Sequence, residues 1–298
     1  MIINRGNLRD LQVGYRTNFQ QAFAETTAMY TQVATVVPSA TAEERYPWLG
    51  SVPGMREWIG ERVLRNASEY GYSIRNRSWE QTVTVSRESI EDDTYGVYAP
   101  LVGEMGRAAK AHPDELVFAL LQAGFSTNCF DGQFFFDTDH PVLDAAGASY
   151  SVSNMQAGAS APWFLMDLTR MIKPLIFQER KKAEFVFKDD PERSDEVFMR
   201  NEFVYGAYAR YNVGFGFWQM AYGSKAALTR QNFRAARTAM MQFRRDYGTP
   251  LAIRPTHIVV GPANADAARD LFLTAQDAYG ATNSDRNLVQ IIEVPWLQ

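Results

Sequence analysis

In FFFDTDHPV, two carboxylates and an imidazole fall within four residues, and Asp137, Asp139 and His140 could together ligate a divalent cation. A catalytic metal needs about three converging ligands, and one turn rarely supplies the whole set. The other histidines, His112 and His257, have no acidic motif to match them. Asx side chains holding a turn ahead of Pro141 are therefore the favoured explanation, and a metal-dependent cytosolic hydrolase is the rival from another class. Glu91, Asp92 and Asp93 precede a long apolar-periodic stretch, where the partial positive charge of a helix N-terminus accounts for them. GFGFW at 214–218 has neither GxGxxG nor P-loop spacing, and GxSxG and HExxH are absent from the chain. Cys129 is the only cysteine, which excludes an internal disulfide and a thiolate cluster made by one chain, and fits a reducing cytoplasm. These patterns assign no catalytic residue, no metal ligand and no cofactor.

The elements that carry these residues belong to a chain of 298 residues, 46% apolar and 13% aromatic. That is enough for one large core or two smaller ones, and it excludes disorder of the whole chain. A net charge of -4 and a pI near 5.5 give no global attraction to phosphate, so neutralising nucleic acid is not the main task. The N-terminus has no signal-peptide core, and no stretch approaches the roughly 18 apolar residues of a membrane span. The protein is expected to be soluble where it is made. Cations are 24 Arg against 6 Lys. Arg forks suit bidentate pairing and protein interfaces, although a GC-rich genome explains the bias about equally well.

Residues 7–26 have the period of an amphipathic helix, with Asn7 as N-cap and Leu8, Leu11, Tyr15, Phe19 and Phe23 on one stripe. The following QVATVVPSATAEERYPW has no helical period, which predicts an extended arm without a core of its own. Residues 43–92 mix turns, interleaved opposite charges and strand alternation, with Trp79, Gln81, Val83 and Val85 on one face and Glu80, Thr82 and Thr84 on the other. From 94 to 124 the period is helical, with Thr94 as candidate cap and Val97, Leu101, Met105, Ala108, Leu116 and Leu120 as the stripe. Pro113, followed by Asp114 and Glu115, predicts a kink or restart near His112. A turn-rich segment at 125–160 ends in a Gly, Ala and Ser run that predicts a mobile loop. Strands are expected at 174–187, 202–219, 251–260 and 288–296, and helices at 224–246 and 263–275, the last with Asn264 as candidate cap. The pattern is α+β, without the regular βαβ repeat of a nucleotide-binding sheet.

Several longer strings are more specific than any of these patterns. MIINRGNLRDLQVGYRTNFQ, RYPWLG followed by MREWIGER, SRESIEDDTYGVYAPL, HPDELVFALLQAGF, DGQFFFDTDHPV and KPLIFQERK resemble the Mu-type major head subunit family of phages and prophages. RPTHIVVGP and VPWL extend the resemblance, more weakly, to the end of the chain. The resemblance implies a structural capsid protein of the HK97-type fold that catalyses nothing and self-assembles into an icosahedral head around double-stranded DNA. An encapsulin-like cellular shell of the same fold is the neighbouring alternative. The implied domains are an N-terminal arm at 1–42, an extended loop at 43–92, a peripheral domain with its spine helix at 93–140, and an axial domain with the remaining peripheral strands at 141–298.

Arm and extended loop would then lie across neighbouring subunits, so their buried surface would form only on assembly. The expected interface anchors are Tyr15, Phe19, Arg56, Trp58, Arg62 and Trp79, because aromatic residues and Arg dominate interface energetics. Expected partners are copies of the chain in hexamers and pentamers, portal and scaffolding proteins, decoration or minor capsid proteins, and non-specifically contacted DNA, with no membrane. The place of action is the virion, after assembly in the host bacterial cytoplasm. Residues 43–92 contain no Lys, which excludes a covalent cross-link from an extended-loop lysine. With the family's opening motif at Met1, scaffolding is expected from a separate protein. In capsids of this fold, a segment like RPTHIVVGP with VPWL usually precedes one like PWFLMDLTRMIKPLIFQER. Here it follows, and a permutation of that kind requires the C-terminus to lie near residue 161.

Overall fold

The computed structural model describes residues 5–49, 71–93, 96–188, 194–276 and 280–298. Helix α1 (Arg5–Glu25) buries Leu8, Tyr15 and Phe19 and half-buries Leu11 and Phe23, as the apolar stripe predicts. The helix starts ahead of Asn7, which therefore lies within it and does not cap it. The short α2 (Tyr30–Val33) leads into β1 (Ala34–Pro38), then β2 (Glu43–Arg45), β3 (Ser73–Arg75) and β4 (Arg77–Ser86). β2 and β3 pair antiparallel, with Glu43 opposite Arg75. Along β4 the alternation holds: Trp79, Gln81 and Val83 are half-buried and Val85 buried, while Glu80, Thr82 and Thr84 are exposed.

After α3 (Arg87–Asp92) comes α4 (Ala99–Ala123), one continuous helix that carries Pro113 within it. Of the kink or restart expected near His112, the restart does not occur: the helix is one piece. The buried stripe is also turned by about one residue from the expected one. Val102, Met105, Gly106, Val117, Phe118 and Leu121 face inward, whereas Val97 is 67% exposed and Leu101 40% exposed. Two long-range contacts set this rotation. At Gly106, a Cβ would collide with the carbonyl oxygen of Phe19, so α1 approaches α4 as closely as two backbones allow. Asp114 is buried because its carboxylate accepts the N–H groups of Met29 at 2.9 Å and Tyr30 at 2.6 Å, satisfying the donors at the start of α2. The arm helix thus does have a core within its own chain, contrary to expectation.

The rest of the chain supplies β5 (His140–Leu143), β6 (Ser149–Val152), β7 (Met155–Gln156), β8 (Trp163–Met166), β9 (Leu175–Lys188), α5 (Asp195–Arg200) and β10 (Glu202–Phe215). β11 (Ala221–Ser224), α6 (Arg230–Met241), β12 (His257–Val260), α7 (Pro262–Phe272) and β13 (Gln290–Glu293) complete it. A four-stranded sheet has the order β1-β9-β10-β4, and a five-stranded sheet the order β13-β12-β8-β11-β7. α7 begins at Pro262 with Gly261 at its N-cap, because Pro suits the first helical turn. Asn264 therefore does not cap. It is buried and donates to the carbonyl oxygens of Ala161 at 2.9 Å and Pro162 at 3.3 Å.

Two hydrophobic clusters result. One joins Leu8, Tyr15 and Phe19 of α1 to Val102 and Met105 of α4 and to Phe185, Phe203 and Tyr205 of the four-stranded sheet. The larger one gathers the C-terminal half of α4, the whole of β8 and the faces of α6 and α7. β9 and β10 run through both, so the long strand pair is the rigid connection between them.

The geometric condition for a permuted order is met. Trp163 at the start of β8 pairs with Val260 at the end of β12, and Glu293 at the end of β13 pairs with the same Val260. A Cβ on Gly261 would meet the carbonyl oxygen of Leu297, while Asn264 holds Ala161. The C-terminal residues and residue 161 therefore share one end of one sheet.

Candidate assembly surfaces and a buried polar cluster

The six sequence-predicted interface residues separate into three groups. Tyr15 and Phe19 are 3% and 2% exposed and face their own chain: the Tyr15 ring meets Tyr205 edge-on at 5.2 Å, and Phe19 meets Phe185 at 5.4 Å. Their apolar surface is already covered, and burial pushes the Tyr15 hydroxyl up to about 12. Arg56, Trp58 and Arg62 lie outside the described residues. Trp79 is half-buried on β4. Its indole N–H donates to the carbonyl oxygen of Tyr211 at 3.0 Å, and its ring lies 4.6 Å from His112 of α4. The imidazole of His112 meets the Tyr211 hydroxyl at 2.9 Å, and burial lowers the affinity of His112 for its proton.

Of the sequence cluster, Asp137 and Asp139 meet each other, which raises the Asp139 carboxyl, but His140 does not converge with them as a set of ligands. Asp137 accepts the N–H of Thr138 at 2.7 Å and of Phe134 at 3.1 Å, so its carboxylate holds the local turn, and Asp139 is exposed. His140 is fully buried and faces elsewhere. Its Nδ1 lies 2.7 Å from Asp131, its Nε2 lies 3.2 Å from the Asn154 side-chain oxygen, and its ring stacks on Trp218 at 4.0 Å. Asn154 is oriented in turn by donating its amide to the carbonyl oxygens of Phe135, Trp218 and Ala221. Cys129 completes the cluster, its thiol donating to Asp131 at 3.0 Å.

Cys129, Asp131 and His140 are ligand types for a transition metal, and their ligand atoms lie within 4.8 Å of one another. Their geometry instead describes a hydrogen-bonded core. Burial works to raise the Asp131 carboxyl, but the bonds from His140 and Cys129 outweigh it and hold it below the usual carboxylate range. Burial, with Asp131 alongside, pushes the Cys129 thiol well above its ordinary range, which keeps it protonated and inert. The donor–acceptor separations of 2.7 and 3.0 Å are those of direct hydrogen bonds, shorter than the spacing of ligands around a bound zinc. The cluster ties the turn at 129–140 to Asn154 and to Trp218. Sequence reasoning found only His140 of this group. Asp131 and Asn154 lie 9 and 14 residues from it and carry no spacing signal of their own.

Among the described residues, no helix is long and apolar enough to cross a membrane. Among the described residues β4 is the last strand of the four-stranded sheet, and a groove between that sheet and α4 is bordered by Trp79 and His112.

Comparison with known proteins gives one consistent result. The family model described as Mu-like prophage major head subunit gpT matches residues 8–297. The "Major capsid protein" of Escherichia phage Mu is 40% identical over 309 residues, covering 100% of both chains. A subunit of the procapsid of bacteriophage JBD30 superposes with a TM-score of 0.87 at 46% identity, over 99% of this chain and 100% of that one. A subunit of the JBD30 capsid decorated with minor capsid protein trimers superposes with a TM-score of 0.78 at 36% identity, over 100% of both chains.

Proposed function

Because the chain belongs to the Mu-like prophage major head subunit family, and is thus a structural capsid protein of the phage head with the HK97-type α+β fold, we propose a division of labour within it. Residues 1–42 are the arm and residues 43–92 the extended loop. Residues 93–140 carry the peripheral domain on its spine helix α4, and 141–298 form the axial domain with the remaining peripheral strands. The full-length likeness to a procapsid subunit is the observation that carries this reading.

The two hydrophobic clusters joined by β9 and β10 act as the rigid body of the subunit. Copies occupy similar but unequal positions as hexamers and pentamers of an icosahedral shell, so contact segments adapt while this body stays fixed. Arg56, Trp58, Arg62 and Trp79 supply contacts between subunits. Tyr15 and Phe19 serve the same end indirectly, by locking α1 of the arm onto α4. The shell encloses double-stranded DNA by non-specific contact, grows in the host bacterial cytoplasm with scaffolding and portal proteins, and takes minor capsid proteins on its outside. Its contacts are non-covalent as far as the loop is concerned, since 43–92 has no Lys. Neither an encapsulin-like compartment nor a metal-dependent hydrolase is favoured by the family assignment.

Negative-stain electron microscopy of the purified protein tests assembly, with closed shells or capsomer rings expected. Trp58→Ala is expected to impair shell formation while leaving soluble, folded subunits; shells of wild-type appearance and yield would count against Trp58 as an anchor.

A further inference from the structure

Between Glu202 and Asp246 the chain carries seven cations and no acid, although its net charge is -4. Five of the seven are arginines of α6 and the turn after it: Arg230, Arg234, Arg237, Arg244 and Arg245. The first three follow at steps of four and three, so they form one stripe flanking the buried face of Phe233, Ala236 and Met240. That stripe spans about 10 Å of helix, a length over which one strand of a DNA duplex presents about three phosphates.

The acid that meets the stripe does not cancel it. Asp285, its side chain 3% exposed, takes Arg230 at 3.0 Å and Arg234 at 2.9 Å, so two guanidiniums share one buried carboxylate and keep an excess positive charge. Bonds from Arg230 to Asn283 at 3.1 Å and from Arg234 to Ser284 at 2.8 Å hold both forks in place before any ligand arrives. Asp246, next in the chain after Arg245, accepts the N–H of Leu143 at 3.0 Å. Beyond the stripe, Arg244 is exposed on the wall of a groove of about 610 Å³ that also carries the hydroxyls of Tyr150 and Ser151. Among the described residues no carboxylate lines that groove. Arginine forks with hydroxyls beside them grip phosphate oxygens without reading bases. The other cationic run, Arg180, Lys181 and Lys182 of β9, is a poorer match, because Glu179 and Glu184 flank it and Glu184 pairs with Lys181 at 2.7 Å.

We propose that the arginine stripe of α6, continued by Arg244, is the surface through which the subunit meets the phosphate backbone of the enclosed double-stranded DNA, an assignment that rests on the head-shell reading. Charge complementarity names the occupant. A stretch of 43 residues with cations alone suits a polyanion, and duplex DNA is the polyanion that a phage head holds.

The test combines Arg237→Gln with Arg244→Gln, which removes two cations and leaves Arg230 and Arg234 on Asp285. Circular dichroism checks the fold, and fluorescence anisotropy measures binding of unassembled full-length subunits to a short duplex of arbitrary sequence. The double variant is expected to bind about tenfold more weakly at low salt, with the slope of log K against log salt shallower by about two. Arg237→Lys with Arg244→Lys keeps the charge and should bind within a few-fold of wild type, as should a control that replaces Arg180, Lys181 and Lys182 by Gln. In assembled particles, an arginine-specific reagent should modify Arg237 and Arg244 less in DNA-filled heads than in empty shells. Unchanged affinity and slope in the double variant, an equal loss from the β9 control, or equal modification in filled and empty particles would overturn the proposal while leaving the head-shell reading intact. Polyglutamate that binds as tightly as the duplex at the same salt would overturn it in favour of an acidic protein partner. Failure of the wild-type chain to form shells in cells that make its scaffold would sink the head-shell reading itself.

Discussion

Gly103 and Gly106 lie one turn apart on α4, and the structure assigns their replacement by Ala opposite signs. Ala is favoured over Gly in a helix interior by about 0.8–1 kcal/mol, so both substitutions start with the same local gain. At Gly103 the nearest atom to an added methyl is the Ala22 Cβ at 3.9 Å, an ordinary contact. Gly103→Ala should therefore stabilise the subunit by about 0.5–1 kcal/mol. At Gly106 the methyl would strike the carbonyl oxygen of Phe19, which is backbone and cannot rotate aside. Overpacking of this kind costs about 1–3 kcal/mol, at the upper end where helices must separate. The local gain offsets part of that, leaving Gly106→Ala less stable by about 0.5–2 kcal/mol. Urea unfolding of unassembled subunits, followed by circular dichroism, measures both. Melting points should diverge by a few degrees, at about 2 °C per kcal/mol for a chain of this size. The loss should be local as well, with faster hydrogen exchange in Arg5–Glu25 for the Gly106 variant alone. Equal stabilisation by both substitutions would refute the close approach of α1 to α4.

His140→Ala removes a fully buried ring, its stack on Trp218 and a bond to buried Asp131, and should cost about 2–4 kcal/mol in urea unfolding; a cost below about 1 kcal/mol would mean that the polar cluster does not hold the turn. Cys129 is 6% exposed with a thiol held protonated, so a thiol reagent should label almost none of it in the folded chain and all of it after denaturation. Rapid labelling of folded subunits would contradict that placement. Glu44 accepts N–H groups from Thr41 and Ala40 and a hydroxyl from Ser39, which lower its carboxyl from 4.5 to about 2. A depressed folded-state value means stability that is present above the unfolded value and lost as pH falls from about 4.5 towards 2. The stability difference between wild type and Glu44→Gln should shrink across that window, and a difference constant with pH would rule out the loop geometry at 39–45.

Local order and family membership were legible in the sequence. The stripe from Leu8 to Phe23 specified α1, and the alternation from Trp79 to Val85 specified β4, because the periods of 3.6 and 2 are properties of one segment's own backbone. The apolar runs of β9 and β10 were visible for the same reason, and the family strings spanned the chain because each is unlikely to arise by composition alone. Tertiary structure decided what each face meets. The buried side of α4 turned away from Leu101 because Gly106 seats Phe19, and Asp114 became a buried acceptor because Met29, 85 residues earlier, brings its N–H there. His140 turned its ring nitrogens to Asp131 and Asn154, and β4 ended as the last strand of its sheet among the described residues. Such outcomes depend on which distant segments close together and on which acceptors they bring to buried donors. Those conditions are set by the folded chain as a whole, and no window of its sequence contains them.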